Sequence, residues 1–171
     1  MAGSYRLLLD RITLMATLEK AIELAARFHA GQRDKEGAPY ILHPLRAMTR
    51  VRGEPAMIVA VLHDTVEDTA LTQADLRAAG FGDEVLDALR LVTHEKSVPY
   101  VDYVVSIAAN PIARQVKLAD LEDNTRLDRM ILRASSLPRD FARLHRYFLS
   151  YKFLTDQMSE EDYRAAMKTY G

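Results

Sequence analysis

AMIVAVLHDTVEDT, residues 56 to 69, starts as an unbroken apolar run and ends in acids gathered around one histidine. On a helix, His63 and Glu67 are four residues apart, as are Asp64 and Asp68, so the two pairs occupy adjoining strips of one face. Four groups able to bind a metal or move a proton therefore converge at the end of an apolar helix. Carboxylates turned toward Ala60, Val61 and Leu62 need a cation or hydrogen-bond donors, because burying them unpaired is costly. A divalent metal would supply that charge. The same four residues would also make a solvated helix end, and the segment by itself leaves both readings open.

Outward from this segment the period is the same. Seven glycines and six prolines fall between stretches whose apolar residues recur at three and four, and no alternating run argues for a sheet. The expected fold is all-α. The first helix is expected over residues 14 to 30, with Leu18, Ile22, Ala25, Ala26 and His29 on or near one stripe and Gly31 as its stop. A loop through Asp34, Gly37 and Pro39 follows. Pro44 then suits the first residue of a short helix, which puts His43 at a helix start. Further helices are expected over 55–68, 72–79, 83–92, 99–109, 111–127, 138–156 and from 159 to the end, with Thr72 and Asp75 spaced as a capping box. The aromatic series Phe141, Tyr147, Phe148, Tyr151 and Phe153 reads as core or as a subunit contact in a homo-oligomer.

At 171 residues and 19.3 kDa, with 49% hydrophobic and 27% charged residues, the chain is expected to form a single globular domain. Lys and Arg total 23 against 24 Asp and Glu, a net charge of -1, so no basic field exists to hold a nucleic-acid backbone. With no cysteine, any metal must be held by histidines and carboxylates. Asp10 and Arg11 interrupt the apolar start MAGSYRLLLDRITLM, so export is not expected. No window approaches the roughly 20 apolar residues of a membrane span, and a cytoplasmic protein without membrane partners is the expectation.

A second cluster lies in VKLADLEDNTRL, residues 116 to 127, where Asp120 and Asn124 are one turn apart. Asp120 could complete a site, while Glu122 and Asp123 read as a solvated acidic face. With His43 and the residues of the first segment, two histidines and two aspartates become available: His43, His63, Asp64 and Asp120. Such a set suits Mn²⁺, Fe²⁺ or Zn²⁺, which activates water near neutral pH. Glu67, Asp68 and Asn124 would surround the metal and handle protons. Elsewhere, His29 reads as packed or half-exposed rather than as a ligand, and His145 as a surface residue. His94, Lys96, Tyr100 and Tyr103 are either core or the wall of a nucleotide pocket. Lys117 and Arg126 could meet phosphates but read as solvated cations, and Lys35, in the loop before His43, is the better phosphate candidate.

The combination of His43, His63-Asp64 and Asp120 resembles the metal signature of the HD-domain phosphohydrolases. GAPYILHPLRAM at 37 to 48, HDTVEDT at 63 to 69 and VKLADLEDN at 116 to 124 resemble, more narrowly, the hydrolase domain of the RelA/SpoT alarmone enzymes and the small alarmone hydrolases. The likeness spans roughly residues 14 to 155, in the family's order. It implies an all-helical fold, one Mn²⁺ on His43, His63, Asp64 and Asp120, a catalytic acidic pair in Glu67 and Asp68, and Asn124 on the substrate. It further implies a small nucleotide as substrate, with removal of the 3′-diphosphate of guanosine tetra- or pentaphosphate as pyrophosphate. Lys35 and Arg33 would neutralise phosphate charge.

One departure stands out. That family usually carries a basic pair before the GxPY segment, with an arginine packed on guanine, where this chain has Asp34 and Lys35 and its Arg33 is one residue away. An acid cannot replace a stacked guanidinium, so weak base selectivity is one expectation and a loop-capping Asp34 is the other. A phosphatase or pyrophosphatase for another nucleotide, or a silent nucleotide-binding HD module, are the alternative functions.

Overall fold

The computed structural model describes residues 16–129 and 137–168. Nine α-helices run through them: α1 Leu18–Phe28, α2 Leu42–Met48, α3 Glu54–Asp68, α4 Gln73–Ala78, α5 Asp83–Val92, α6 Tyr100–Ile107, α7 Pro111–Asn124, α8 Leu137–Leu154 and α9 Glu160–Lys168. A 3₁₀ turn, Leu127–Arg129, follows α7. Among the described residues there is no strand; a lone antiparallel bridge pairs Arg33 with Pro39.

Helix α3 is the axis. Ala56 and every residue from Ile58 to His63 are buried, as a helix apolar on all sides requires. Helices α1, α2, α5 and α7 pack around it. Gly53 makes the turn into α3 at φ +89°, a conformation that L side chains rarely adopt. Pro55 occupies the first turn, where a missing N–H costs nothing. Because α3 is held along its length, its C-terminal half delivers His63 to the core edge and Glu67 and Asp68 to the cleft beyond it.

Several boundaries differ from expectation. Helix α1 is shorter than 14–30: Thr17 caps it by accepting from Lys20 N at 3.4 Å, and His29 closes it. Helix α2 starts at Leu42, which makes His43 its second residue and Pro44 its third rather than its first. The missing proline N–H still falls where helix donors are unpaired. Helix α7 ends at Asn124 instead of continuing to 127, closed by Thr125, whose N–H and hydroxyl both donate to the Leu121 carbonyl at 3.0 and 2.8 Å. The Thr72 and Asp75 capping box is present, each side chain bonded to the other's backbone N–H.

The C-terminal aromatics divide. Tyr147, Tyr151 and Phe153 pack against the core, and Phe153 stacks on the buried Tyr163 at 4.9 Å. Phe141 and Phe148 remain exposed on α8. The apolar start that bears on export, residues 1–15, and the end of the last expected helix, 169–171, lie outside the described residues. No helix among the described residues is long and apolar enough to cross a membrane.

Candidate active site

Helices α2, α3 and α7 bring His43, His63, Asp64 and Asp120 together. His43 Nε2 lies 3.4 Å from Asp64 Oδ2 and 3.3 Å from Asp120 Oδ1. His63 Nε2 lies 3.1 Å from Asp64 Oδ1 and 3.8 Å from Asp120 Oδ1. Ligand-type atoms of His43, His63 and Asp120 all fall within 4.8 Å of one another, and all three residues are buried. Donors about 2.0–2.3 Å from one ion stand roughly 3 to 4.6 Å apart, so the cluster has the dimensions of a metal site.

The ring orientations support the same reading. His63 Nδ1 donates to the Ala60 carbonyl at 2.7 Å, within its own helix, which leaves Nε2 as the nitrogen that can offer a lone pair to a cation. That Nε2 is buried and has no hydrogen-bond partner, an orphan that a cation would satisfy. His43 Nδ1 is likewise engaged, donating to Asp123 Oδ2 at 2.7 Å. Burial pulls the His43 pKa down, but the bonds to Asp120 and Asp123 and the charges of Asp120 and Asp64 outweigh it and raise it to about 9. His63 is also raised, against burial, by Asp64 and Asp120. Burial opposes ionisation of Asp120, yet Lys117, His43 and His63 hold it well below the usual carboxylate range. This pocket attracts positive charge.

Around the cluster opens a cleft of about 600 Å³. Glu67 and Asp68 line it from the last turn of α3. Glu67 Oε2 accepts from His94 N at 3.1 Å, and burial raises its carboxyl above the ordinary value. Tyr40 spans the acids: its hydroxyl donates to Asp64 Oδ2 at 2.7 Å and to Asp68 Oδ2 at 3.2 Å. Burial and the two carboxylates push the phenol far up, so it stays an O–H donor. Asn124 Nδ2 donates to Asp120 Oδ1 at 2.5 Å from one turn further along α7. His29 is buried, the packed rather than the half-exposed of its two readings; it touches Thr65 and Gln32 and packs 5.1 Å from the Tyr40 ring.

Three readings of the sequence are corrected. Asp123 is fully buried rather than solvated; it faces α2 and takes bonds from His43, Arg46, Arg50 and Arg129, while its neighbour Glu122 is exposed. Lys117 is not a solvated cation, since its Nζ sits 2.8 Å from Asp120 Oδ2 beside Tyr103 on the cleft wall. His145 is half-buried and shares an apolar groove with Phe141 and Phe148 on α8. Arg126, in turn, bonds Asp128 at 2.6 and 2.9 Å and stays out of the cleft.

At the rim, Arg33, Asp34 and Lys35 line one side. Asp34 Oδ1 accepts from Glu36 N at 3.0 Å and Ala38 N at 2.9 Å, so its carboxylate does cap this loop. His94, Tyr100 and Tyr103 form part of the wall, whereas Lys96 is exposed and does not. Arg143, Arg146 and Tyr147 of α8 complete it, with Arg146 5.0 Å from the Tyr100 ring. Sequence reasoning missed Tyr40, Arg129, Arg143, Arg146 and Tyr147. The GxPY segment held a signal for Tyr40; the others arrive only through packing.

These helices and this cluster define a class. A model of the HD domain matches residues 21–134, and the chain belongs to the HD domain family. Within it, the chain is 40% identical over 124 residues to human guanosine-3′,5′-bis(diphosphate) 3′-pyrophosphohydrolase MESH1, covering 65% of this chain and 69% of that protein. It is 38% identical over 130 residues to a GTP pyrophosphokinase of Streptomyces coelicolor, covering 68% of this chain but 15% of that longer protein. A guanosine-3′,5′-bis(diphosphate) 3′-pyrophosphohydrolase of Aquifex aeolicus is 31% identical over 121 residues, 64% of this chain and 17% of its own. A solved structure described as a metazoan ortholog of SpoT that hydrolyzes ppGpp shares the fold, with a TM-score of 0.64, 22% identity and coverage of 91% of this chain and 93% of its own.

Proposed function

We propose that this protein is a divalent-metal-dependent pyrophosphohydrolase acting on guanosine 3′,5′-bis(diphosphate), a cytoplasmic alarmone hydrolase of the stringent-response type. The observation that carries the reading is the orphaned, buried Nε2 of His63 facing His43, Asp64 and Asp120 at the floor of a cleft. Similarity to MESH1 across 69% of that protein supports the choice of substrate.

His43, His63, Asp64 and Asp120 would hold the metal, and two imidazoles with two carboxylates suit Mn²⁺, with Fe²⁺ or Zn²⁺ as the alternatives. The metal would supply Lewis acidity toward a phosphate oxygen and water. Around it, Glu67 and Asp68 orient the attacking water and take its proton; burial sets Glu67 above the ordinary carboxyl range, in a better position to act as a base. Tyr40 holds Asp64 and Asp68 in register through its two hydrogen bonds. In the reaction the water oxygen bonds to phosphorus, the bond from phosphorus to the ribose 3′ oxygen breaks, and that oxygen leaves with a proton as the 3′ hydroxyl. Lys35 and Arg33 neutralise the phosphates from the rim, and Asn124, beside Asp120, contacts the nucleotide.

The test is release of pyrophosphate from guanosine 3′,5′-bis(diphosphate) by metal-free protein before and after addition of Mn²⁺. Stoichiometric pyrophosphate and guanosine 5′-diphosphate are expected only with metal. Release of single phosphates, or turnover of other nucleotides alone, would overturn the substrate assignment.

A further inference from the structure

We propose that Asp123 is the positioning residue for His43, a buried carboxylate held in place by hydrogen bonds from three arginines so that His43 presents Nε2 to the metal cluster. The assignment rests on the reading above that His43 is a metal ligand. Asp123 has no exposed surface, yet its two oxygens face five donor nitrogens from four residues. Oδ1 accepts from Arg46 Nε at 2.7 Å and Arg50 Nη1 at 3.0 Å; Oδ2 accepts from Arg46 Nη2 at 3.0 Å, from Arg129 Nη1, and from His43 Nδ1 at 2.7 Å.

This is more than a buried ion pair needs. Arg46 alone, bound through two nitrogens, would satisfy one carboxylate. The His43 bond does something no arginine bond does: it fixes the ring proton on Nδ1 and aims the lone pair of Nε2 at Asp64, Asp120 and His63. The two histidines of the cluster differ here. His63 is oriented by a neutral carbonyl of its own helix, whereas His43 is oriented by a charged oxygen from α7, 80 residues away. A charged acceptor makes imidazole a stronger donor to a metal. Arg129 carries the arrangement to the rim, with its Nη2 3.9 Å from Asp34 Oδ2.

The experiment measures Mn²⁺ affinity of metal-free protein by chelator competition, the visible spectrum of the Co²⁺-loaded form, and the melting temperature without metal. Asp123→Asn is expected to weaken Mn²⁺ binding roughly 10- to 100-fold, the usual effect of losing such a partner, and to shift the Co²⁺ bands. Because that variant deprives three arginines of their shared carboxylate, Asp123→Asn with Arg50→Gln removes one cation along with the anion and should show the same weakening. Arg50→Gln alone should lower only the melting temperature, with Mn²⁺ affinity within twofold of the parent. In unaltered protein loaded with Zn²⁺, a slowly exchanging ring proton on His43 Nδ1 is expected by ¹⁵N NMR. Its absence, or parental Mn²⁺ affinity and Co²⁺ bands in both variants that carry Asp123→Asn when His43→Ala has lost the metal, would overturn the role of Asp123. Unimpaired metal binding by His43→Ala would instead overturn the metal-ligand reading of His43 and this assignment with it.

Discussion

The floor of the cleft hangs from the core, whereas its rim rests on the 32–39 loop and the outer turns of α8. On the floor, His43, His63 and Asp120 are all buried and each is tied by hydrogen bonds to a neighbour that is itself fixed. On the rim, Arg33 and Lys35 are exposed, and the loop closes through Asp34. The difference separates two tasks. A site that must place several donors around one ion needs sub-ångström order and builds it from three packed helices. A surface that must admit and release a nucleotide tolerates looser parts.

The largest break in that comparison should come at the floor. Asp64→Ala is expected to abolish metal binding and turnover together, read by metal analysis of the purified variant and by pyrophosphate release. Glu67→Gln should keep metal stoichiometry while lowering kcat on the order of a hundredfold, the scale of losing a general base. Its pH profile sharpens the point: Glu67 accepts a proton only when ionised, and its pKa is raised, so activity should fall as pH drops through a value above the ordinary glutamate range. That acid limb should disappear in Glu67→Gln. Loss of metal from this variant would move Glu67 into the ligand set.

Tyr40→Phe comes next, between floor and rim. It removes one O–H proton shared between two carboxylates, worth about 1.5 to 3 kcal/mol in total and less where water competes, so kcat/KM should fall roughly tenfold with the fold intact by circular dichroism. The smallest effect is expected on the rim. Asp34→Ala loosens the loop, and KM should rise a few-fold with kcat nearly constant. If Asp34 also governs base choice, Asp34→Arg should raise the preference for guanosine tetraphosphate over its adenosine counterpart by about tenfold, the worth of a stacked guanidinium. An unchanged ratio with a raised KM would leave Asp34 as the loop cap alone.

The contrast between floor and rim is also the boundary of what the sequence shows. His63, Asp64, Glu67 and Asp68 are legible because helical spacing alone puts them on one face, and Asp120 and Asn124 follow the same rule. Asp123 is not: beside Glu122 it looks like one more surface acid, and only the docking of α7 on α2 buries one and exposes the other. Lys117 is hidden for the same reason. Arg143, Arg146 and Tyr147 reach the cleft because α8 packs on α7, a relation no local pattern encodes. Helix positions are largely readable from glycines, prolines and caps. The ends of α2 and α7 are not, because backbone and hydroxyl bonds decide them residue by residue.

The unbroken burial of α3 from Ile58 to His63 has a consequence for exchange and proteolysis. Amides deep inside a helix enclosed by four others open only when the whole protein opens, so those from Val59 to His63 should exchange with solvent at the rate of global unfolding. The ring of His63 is buried and bonded through Nδ1 to the Ala60 carbonyl of the same helix. Loss of the ion and loss of the fold are then linked by mass action: metal at a hundred times its Kd would add about 2.7 kcal/mol to the cost of opening. Chelators should therefore speed deuterium uptake and proteolytic cleavage at the centre of the protein, far from any loop that a protease would ordinarily attack.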